Sequence, residues 1–221
     1  GSAKAGFHTY SEKPLATGMN DAKTLHALAT KSNLLLASAP CSVLGEAAQT
    51  LAYAIRRNIA GTPRIIYAEL DDGFIPQAPV ESWISESGAA WPYTDELQTG
   101  CTLEHAGYYL SWLIAMFGSV RRVVAAAATV LPDKLGVLDT APDFSVATLF
   151  CADGPVVRLT CSIAAPHNHR SQVVGDKGVL SLDRAWDNSA PIKYRRRFVL
   201  RRRLMEHPIA KRIRLSGPTH P

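Results

Sequence analysis

The apolar positions along this chain follow two patterns, one after the other. Over 6–11 (Gly-Phe-His-Thr-Tyr-Ser), β-forming residues alternate and predict a short strand. Over 21–31, Ala22, Leu25, Leu28 and Ala29 fall on one face of a helix that Asn20 can cap and Asn33 ends. Residues 34–37, Leu-Leu-Leu-Ala, are apolar on both faces, as a buried parallel strand is. A second helix is expected over 43–59, capped by Ser42, with Val43, Ala47, Leu51 and Ile55 in register and Gly61-Thr62-Pro63 ending it. Strand-helix-strand-helix is the order of a parallel α/β sheet.

After Pro63 the pattern changes. A strand is expected over 64–70, then a polar loop over 71–100 that carries Trp83, Trp91 and Tyr93, then a helix over 102–117 closed by Gly118. Strands follow without intervening helices, over 119–130, 144–150, 155–163, 171–175 and 178–183. Val157, Leu159, Cys161 and Ile163 alternate with Arg158, Thr160 and Ser162, which predicts a sheet with one buried and one polar face. Gly175-Asp176-Lys177-Gly178 reads as a hairpin turn.

Composition supports a folded chain: 47% of the 221 residues are hydrophobic and 19% charged. No apolar run reaches the roughly 18–20 residues that span a bilayer; the nearest, 120–131, is broken by Arg121 and Arg122. Cys41, Cys101, Cys151 and Cys161 form no C-x-x-C and have no zinc-finger partners. Three of them sit inside apolar stretches and are expected as buried thiols in a reducing, cytoplasmic compartment, with neither a disulfide nor a zinc site expected among the cysteines. The net charge of +5 hides an asymmetry: residues 193–214 hold ten Lys or Arg against Glu206, a local +9, which leaves −4 for the rest. That run carries no recognised nucleic-acid motif. It is read as a solvated or inter-subunit segment, with nucleic-acid binding the weaker alternative.

Three blocks carry a resemblance. "SEKPLAT" follows the first strand, "TGCTLEHAGYYLSWLIAMFG" spans 99–118, and "DFSVATLFCADGPVVRLTCSIAAP" is followed by "VVGDKGVLSL". Together they resemble the Gfo/Idh/MocA family of NAD(P)-dependent oxidoreductases from about residue 7 to about residue 186. In the second block Gly100, Phe117 and Gly118 match the family pattern. Glu104 stands where that pattern has Asp, Ala106 where it has Gly, and Tyr108 where it has His. The loss of the histidine leaves the proton donor open and admits a degenerate site.

The implied fold class is α/β followed by α+β: the last strand-helix units of a Rossmann-like parallel sheet, then a mostly antiparallel open sheet with helices on one face. The expected domains are 1–62, a remnant of a dinucleotide-binding domain, and 63–221, a substrate-binding and oligomerisation domain with a basic C-terminal segment. The resemblance implies NAD or NADP as cofactor, a sugar, polyol or cyclitol as substrate, and a homodimer formed through the C-terminal sheet.

Elementary chemistry bears on the same residues. Ligands of open α/β sheets bind at the carboxyl ends of strands. Glu12, Lys13 and Pro14 are therefore the expected cofactor contacts, with Lys13 also orienting the substrate hydroxyl. Pro14 keeps Lys13 extended and admits a cis bond. Glu104 and Tyr108, four residues apart, share a helix face. A phenol beside an ammonium can exchange a proton with a substrate hydroxyl as hydride leaves its carbon. Tyr108 is thus the candidate acid/base and Glu104 its partner. His105, Trp91 and His169 are candidate substrate contacts. His105 could equally be packing, Trp91 could simply pin its loop, and the His167/His169 pair reads as a loop feature. Against this stands the lack of any G-x-G-x-x-G. A chain ending in "GPTHP" without the family's closing helix is expected to be a fragment that alone binds a dinucleotide poorly. The alternative function is a non-catalytic assembly module.

Overall fold

The structure, a computed structural model, describes residues 2–40 and 42–214. Cys41 and the terminal "GPTHP", for which expectations were stated above, lie outside these residues. The chain forms two compact units that divide at residues 41/42.

In the first unit, β1 (Thr9–Ser11), α1 (Met19–Lys31) and β2 (Leu36–Ser38) follow one another. β1 and β2 pair in parallel, Tyr10 opposite Ala37, as the strand-helix-strand order requires. α1 begins one residue ahead of the expected cap: Gly18 occupies that position and no side chain caps the helix, so Asn20 is helical. Asn33, at φ +51°, ends the helix in the left-handed region that Asn tolerates. Leu34–Ala37 were expected buried on both faces, yet Leu35 is 72% exposed. β2 lies in a two-stranded ribbon, and the face that carries Leu35 and Ala37 is exposed.

The second unit is built on α2 (Glu46–Arg56), a long β3 (Pro63–Phe74), α3 (Tyr93–Thr99), α4 (Cys101–Phe117), β4 (Val120–Ala128), β5 (Phe144–Cys151), β6 (Val156–Ser162), β7 (Ala164–Asn168), β8 (Ser171–Gly175), β9 (Gly178–Leu182), β10 (Lys193–Leu200), β11 (Arg203–Glu206) and β12 (Lys211–Arg212). The ten strands join in one sheet of order β11-β10-β9-β8-β3-β6-β5-β4, with β12 on β10 and β7 on β3. Among the described strands of this sheet, β3 and β6 pair in parallel and the other pairs are antiparallel. The expected α+β class, a mostly antiparallel open sheet with helices packed on it, is what forms. α2 belongs to this unit: its Ala47 N–H donates to Asn188 O at 2.8 Å, and Gly45 rather than Ser42 precedes its first turn.

The core follows the alternation. Ile66, Ala68 and Leu70 of β3 and Val157, Leu159 and Cys161 of β6 meet Ala47, Leu51 and Ala54 of α2 and Tyr109, Trp112 and Leu113 of α4. Trp112 Nε1–H donates to Ser42 Oγ at 3.0 Å, so the largest core side chain is satisfied and ties α4 to the segment before α2. The Gly175–Gly178 hairpin forms as expected. A Cβ on Gly175 would sit 2.2 Å from Ala60 O, so the close approach there requires glycine.

Three differences matter. The stretch expected as loop is structured at both ends, because β3 continues to Phe74 and α3 occupies Tyr93–Thr99. β7 was not foreseen. The basic run, expected as a solvated or inter-subunit segment, is largely exposed but ordered as strand: β10 to β12 extend the sheet, with Arg197 opposite Glu206 and their side chains 3.2 Å apart.

Burial pushes the Cys101 thiol up to about 11 and the Cys161 thiol up to about 12. Alkylation near pH 8 should therefore spare both in the native chain. For Cys101 the rise from 9.0 to about 11 alone implies a thiolate fraction lower by about 100-fold. Residue-resolved mass spectrometry in buffer and in denaturant checks this; labelling at equal rates in the two would contradict it.

Candidate active site

The site is prepared by a fault in β3. Asp71-Asp72-Gly73 opens the stretch expected as loop, but here it is strand with a register shift between Asp71 and Gly73, opposite β7. Gly73 takes φ +80° to allow it. Because Asp71 pairs with Asn168, its strand neighbour Asp72 and the flanking His167 and His169 share the opposite face. That is the face to which Ile66, Ala68 and Leu70 point and on which α4 lies.

There Asp72 meets three imidazoles. Its Oδ1 is 3.5 Å from His169 Nε2 and 4.0 Å from His167 Nε2, and its Oδ2 is 3.7 Å from His105 Nε2 on α4. Trp186, in the loop after β9, gathers the rings: its centroid lies 4.0 Å from His169, 5.4 Å from Tyr108, 5.8 Å from His105 and 6.3 Å from His167. His169 is buried, and the phenol of Tyr109 donates to its carbonyl at 2.6 Å. Burial foremost, with Glu69 and Asp183 adding to it, pushes that phenol far above its ordinary value, so Tyr109 remains a donor. Burial first, and then the Glu69 carboxylate, raise Asp71 above the usual carboxylate range, while His169 acts against the shift.

Of the residues expected here, His105, Tyr108 and His169 come together around Trp186. Glu104 is buried on the same helix. Trp91 does not join them: it packs on Trp83 with centroids 5.1 Å apart, and its N–H donates to Trp83 O at 2.9 Å. Asp72 and Trp186 were missed. A carboxylate inside a turn-like Asp-Asp-Gly and a tryptophan just past the last expected strand give no periodic signal. Glu12, Lys13 and Pro14 belong to the other unit. Lys13 is half-buried just past the carboxyl end of β1, its peptide to Pro14 is cis, and its N–H donates to Glu12 Oε2 at 3.3 Å.

The fit to a nicotinamide cofactor is partial within this chain. Two parallel strands present their carboxyl ends, with Lys13 beyond the first. A glycine fingerprint for the pyrophosphate is not among its residues.

An open, mostly antiparallel sheet with helices packed on it and a polar cluster at its strand ends places the second unit among α+β domains. The family model for the GFO/IDH/MocA C-terminal domain matches residues 48–181, and the chain belongs to that family. No curated protein matches it in sequence. An inositol dehydrogenase homolog from Azotobacter vinelandii, solved with NADH and myo-inositol, is similar at TM-score 0.68 and 16% identity over 94% of this chain and 53% of that one. The WlbA dehydrogenase from Bordetella pertussis, solved with NADH and UDP-GlcNAcA, is similar at 0.65 and 22% over 83% and 50%. An NAD-binding oxidoreductase from Klebsiella pneumoniae is similar at 0.68 and 21% over 88% and 51%. The chain thus spans about half the length of these structures and shares their fold. Among the described residues no helix is long and apolar enough to cross a membrane.

Proposed function

We propose that this chain is the substrate-side part of a nicotinamide-dependent oxidoreductase acting on a hydroxyl-bearing ring, such as a sugar, polyol or cyclitol. The observation that carries this reading is family membership together with the convergence of His105, Tyr108 and His169 on Trp186. An aromatic face suits the C–H side of a ring, and imidazole and phenol suit its hydroxyls. The bound nicotinamide would give or accept the hydride. Tyr108 is the proposed proton donor and acceptor at the reacting hydroxyl. His105, held toward the Asp72 carboxylate, orients a neighbouring hydroxyl. Glu104, buried on the same helix, is the proposed partner of Tyr108 or a substrate ligand. Glu12, Lys13 and Pro14 are the proposed contacts of the nicotinamide end.

The similar proteins solved with myo-inositol and UDP-GlcNAcA support the substrate class. The choice between NAD and NADP is open to the same experiment. NADH and NADPH are titrated into the full-length gene product by nicotinamide fluorescence, then turnover is assayed on a panel of cyclitols, polyols and nucleotide sugars. Saturable binding of one dinucleotide and turnover of a ring alcohol are expected. Absence of dinucleotide binding would return the chain to the assembly-module reading.

A further inference from the structure

We infer that Asp72, His167 and His169 form a binding site for a divalent transition-metal cation of the zinc class. The three side chains offer one carboxylate oxygen and two imidazole nitrogens, all within 4.8 Å of one another. Around an ion bound at about 2.0–2.2 Å, ligand atoms stand a little over 3 Å apart. Asp72 Oδ1 is already 3.5 Å from His169 Nε2 and 4.0 Å from His167 Nε2, and with all three ligand atoms within 4.8 Å closure needs side-chain adjustments on the order of an ångström or two.

A second observation points the same way. His169 Nε2 is buried and has no hydrogen-bond partner among the described residues. Its polar neighbour is the Asp72 Oδ1 at 3.5 Å, with which it makes no hydrogen bond; a buried nitrogen without one costs free energy, and coordination to a cation would satisfy it. The site is also held on rigid elements: His167 lies on β7, His169 is fixed through its carbonyl by Tyr109, and Asp72 sits at the β3 bulge. The second oxygen of the Asp72 carboxylate faces His105, which is the outer-sphere support that ligating carboxylates have. His167, with its side chain 54% exposed, leaves a way in for the ion. Two nitrogens and one oxygen suit Zn²⁺, Co²⁺, Ni²⁺ or Fe²⁺ more than Mg²⁺ or Ca²⁺. Three protein ligands leave a coordination position for water or a hydroxyl. This inference stands on unit geometry and does not depend on the proposed oxidoreductase activity.

The experiment treats the chain with EDTA, removes the chelator, and titrates Zn²⁺ by calorimetry and Co²⁺ by its visible absorption. One equivalent bound saturably, with a Co²⁺ band from a nitrogen–oxygen ligand set, is expected. The variants His167→Ala and Asp72→Asn should each weaken binding by roughly 100-fold or more. His26→Ala, an exposed histidine of α1, should leave it unchanged. Circular dichroism of each variant establishes that it is folded, and His167→Ala removes an exposed ring that the core does not need. No saturable binding, or binding that survives both His167→Ala and Asp72→Asn, overturns the site. Neither result would touch the dinucleotide experiment above.

Discussion

Tyr108→Phe, made in the full-length gene product, is expected to lower kcat by about 100-fold or more, the usual loss when a positioned acid/base is removed. The substitution deletes one hydroxyl and keeps the ring. The half-buried ring sits 5.4 Å from Trp186 by centroids, and that contact survives in phenylalanine. KM for the ring alcohol should therefore move little, and the melting temperature should stay within a few degrees. The neighbouring Tyr109 is a useful contrast. Its hydroxyl donates to His169 O inside the core, so Tyr109→Phe should cost stability and disturb His169 without the same selective loss of kcat. Steady-state kinetics on both variants separates the roles. If Tyr108→Phe keeps most of its turnover, the proton moves through another group, and His105 is next to examine.

Tyr108 is reached through the resemblance, since it stands where the family pattern has His, whereas Asp72 lies outside the three blocks that carry it. Helix periodicity, every three to four residues, made the bounds of α4 and the shared face of Glu104 and Tyr108 legible. β6 was legible for the same reason at period two, although Ser162, expected on the polar face, is buried. Asp72 breaks period two within a turn-like tripeptide, and only the pairing of β3 with β7 turns that break into a bulge. Tertiary pairing likewise converts the arginine run into β10 to β12. Leu200 is opposite Arg203, and Arg201 and Arg202 make the two-residue turn at φ +46° and +68°, a conformation usually supplied by Asn-Gly. No local signal predicts arginine there. Of the two readings of Trp91, substrate contact or loop pin, its packing on Trp83 fits the second, because a loop tryptophan stacks on what lies near it. Trp83 is a short distance away along the same loop, and Trp186 reaches the histidines from a segment nearly a hundred residues further on.

The second large effect is expected far from the histidines. Asp143→Ala should destabilise the second unit by about 3–5 kcal/mol, the usual cost of breaking a buried ion pair by removing one partner. Asp143 is fully buried, and its carboxylate accepts from Val130 N–H at 2.8 Å and Leu131 N–H at 3.0 Å. Lys134 Nζ, also buried, lies 3.2 Å from the same carboxylate and donates to Thr140 Oγ1 at 3.0 Å and Ala141 O at 2.7 Å. Removing the carboxylate leaves an ammonium and two backbone donors without their acceptor in a site closed to water. For a unit of this size the loss corresponds to roughly 6–20 °C in a thermal melt. The double variant Asp143→Leu with Lys134→Met should recover much of it, because the stranded charge is then gone. A single variant that melts like the parent would show that water reaches the pair. This ledge also bears on the candidate site. Ala141 N–H donates to Leu97 O at 3.0 Å, and Gly100, at φ +87°, packs so closely that a Cβ there would lie 2.5 Å from Ala141 Cβ. The segment around the ion pair thus fixes the start of α4, the helix that carries Glu104, His105 and Tyr108. Loss of Asp143 should consequently lower activity steeply as temperature rises while leaving kcat in the cold near its parent value, the reverse of the temperature-independent loss expected for Tyr108→Phe.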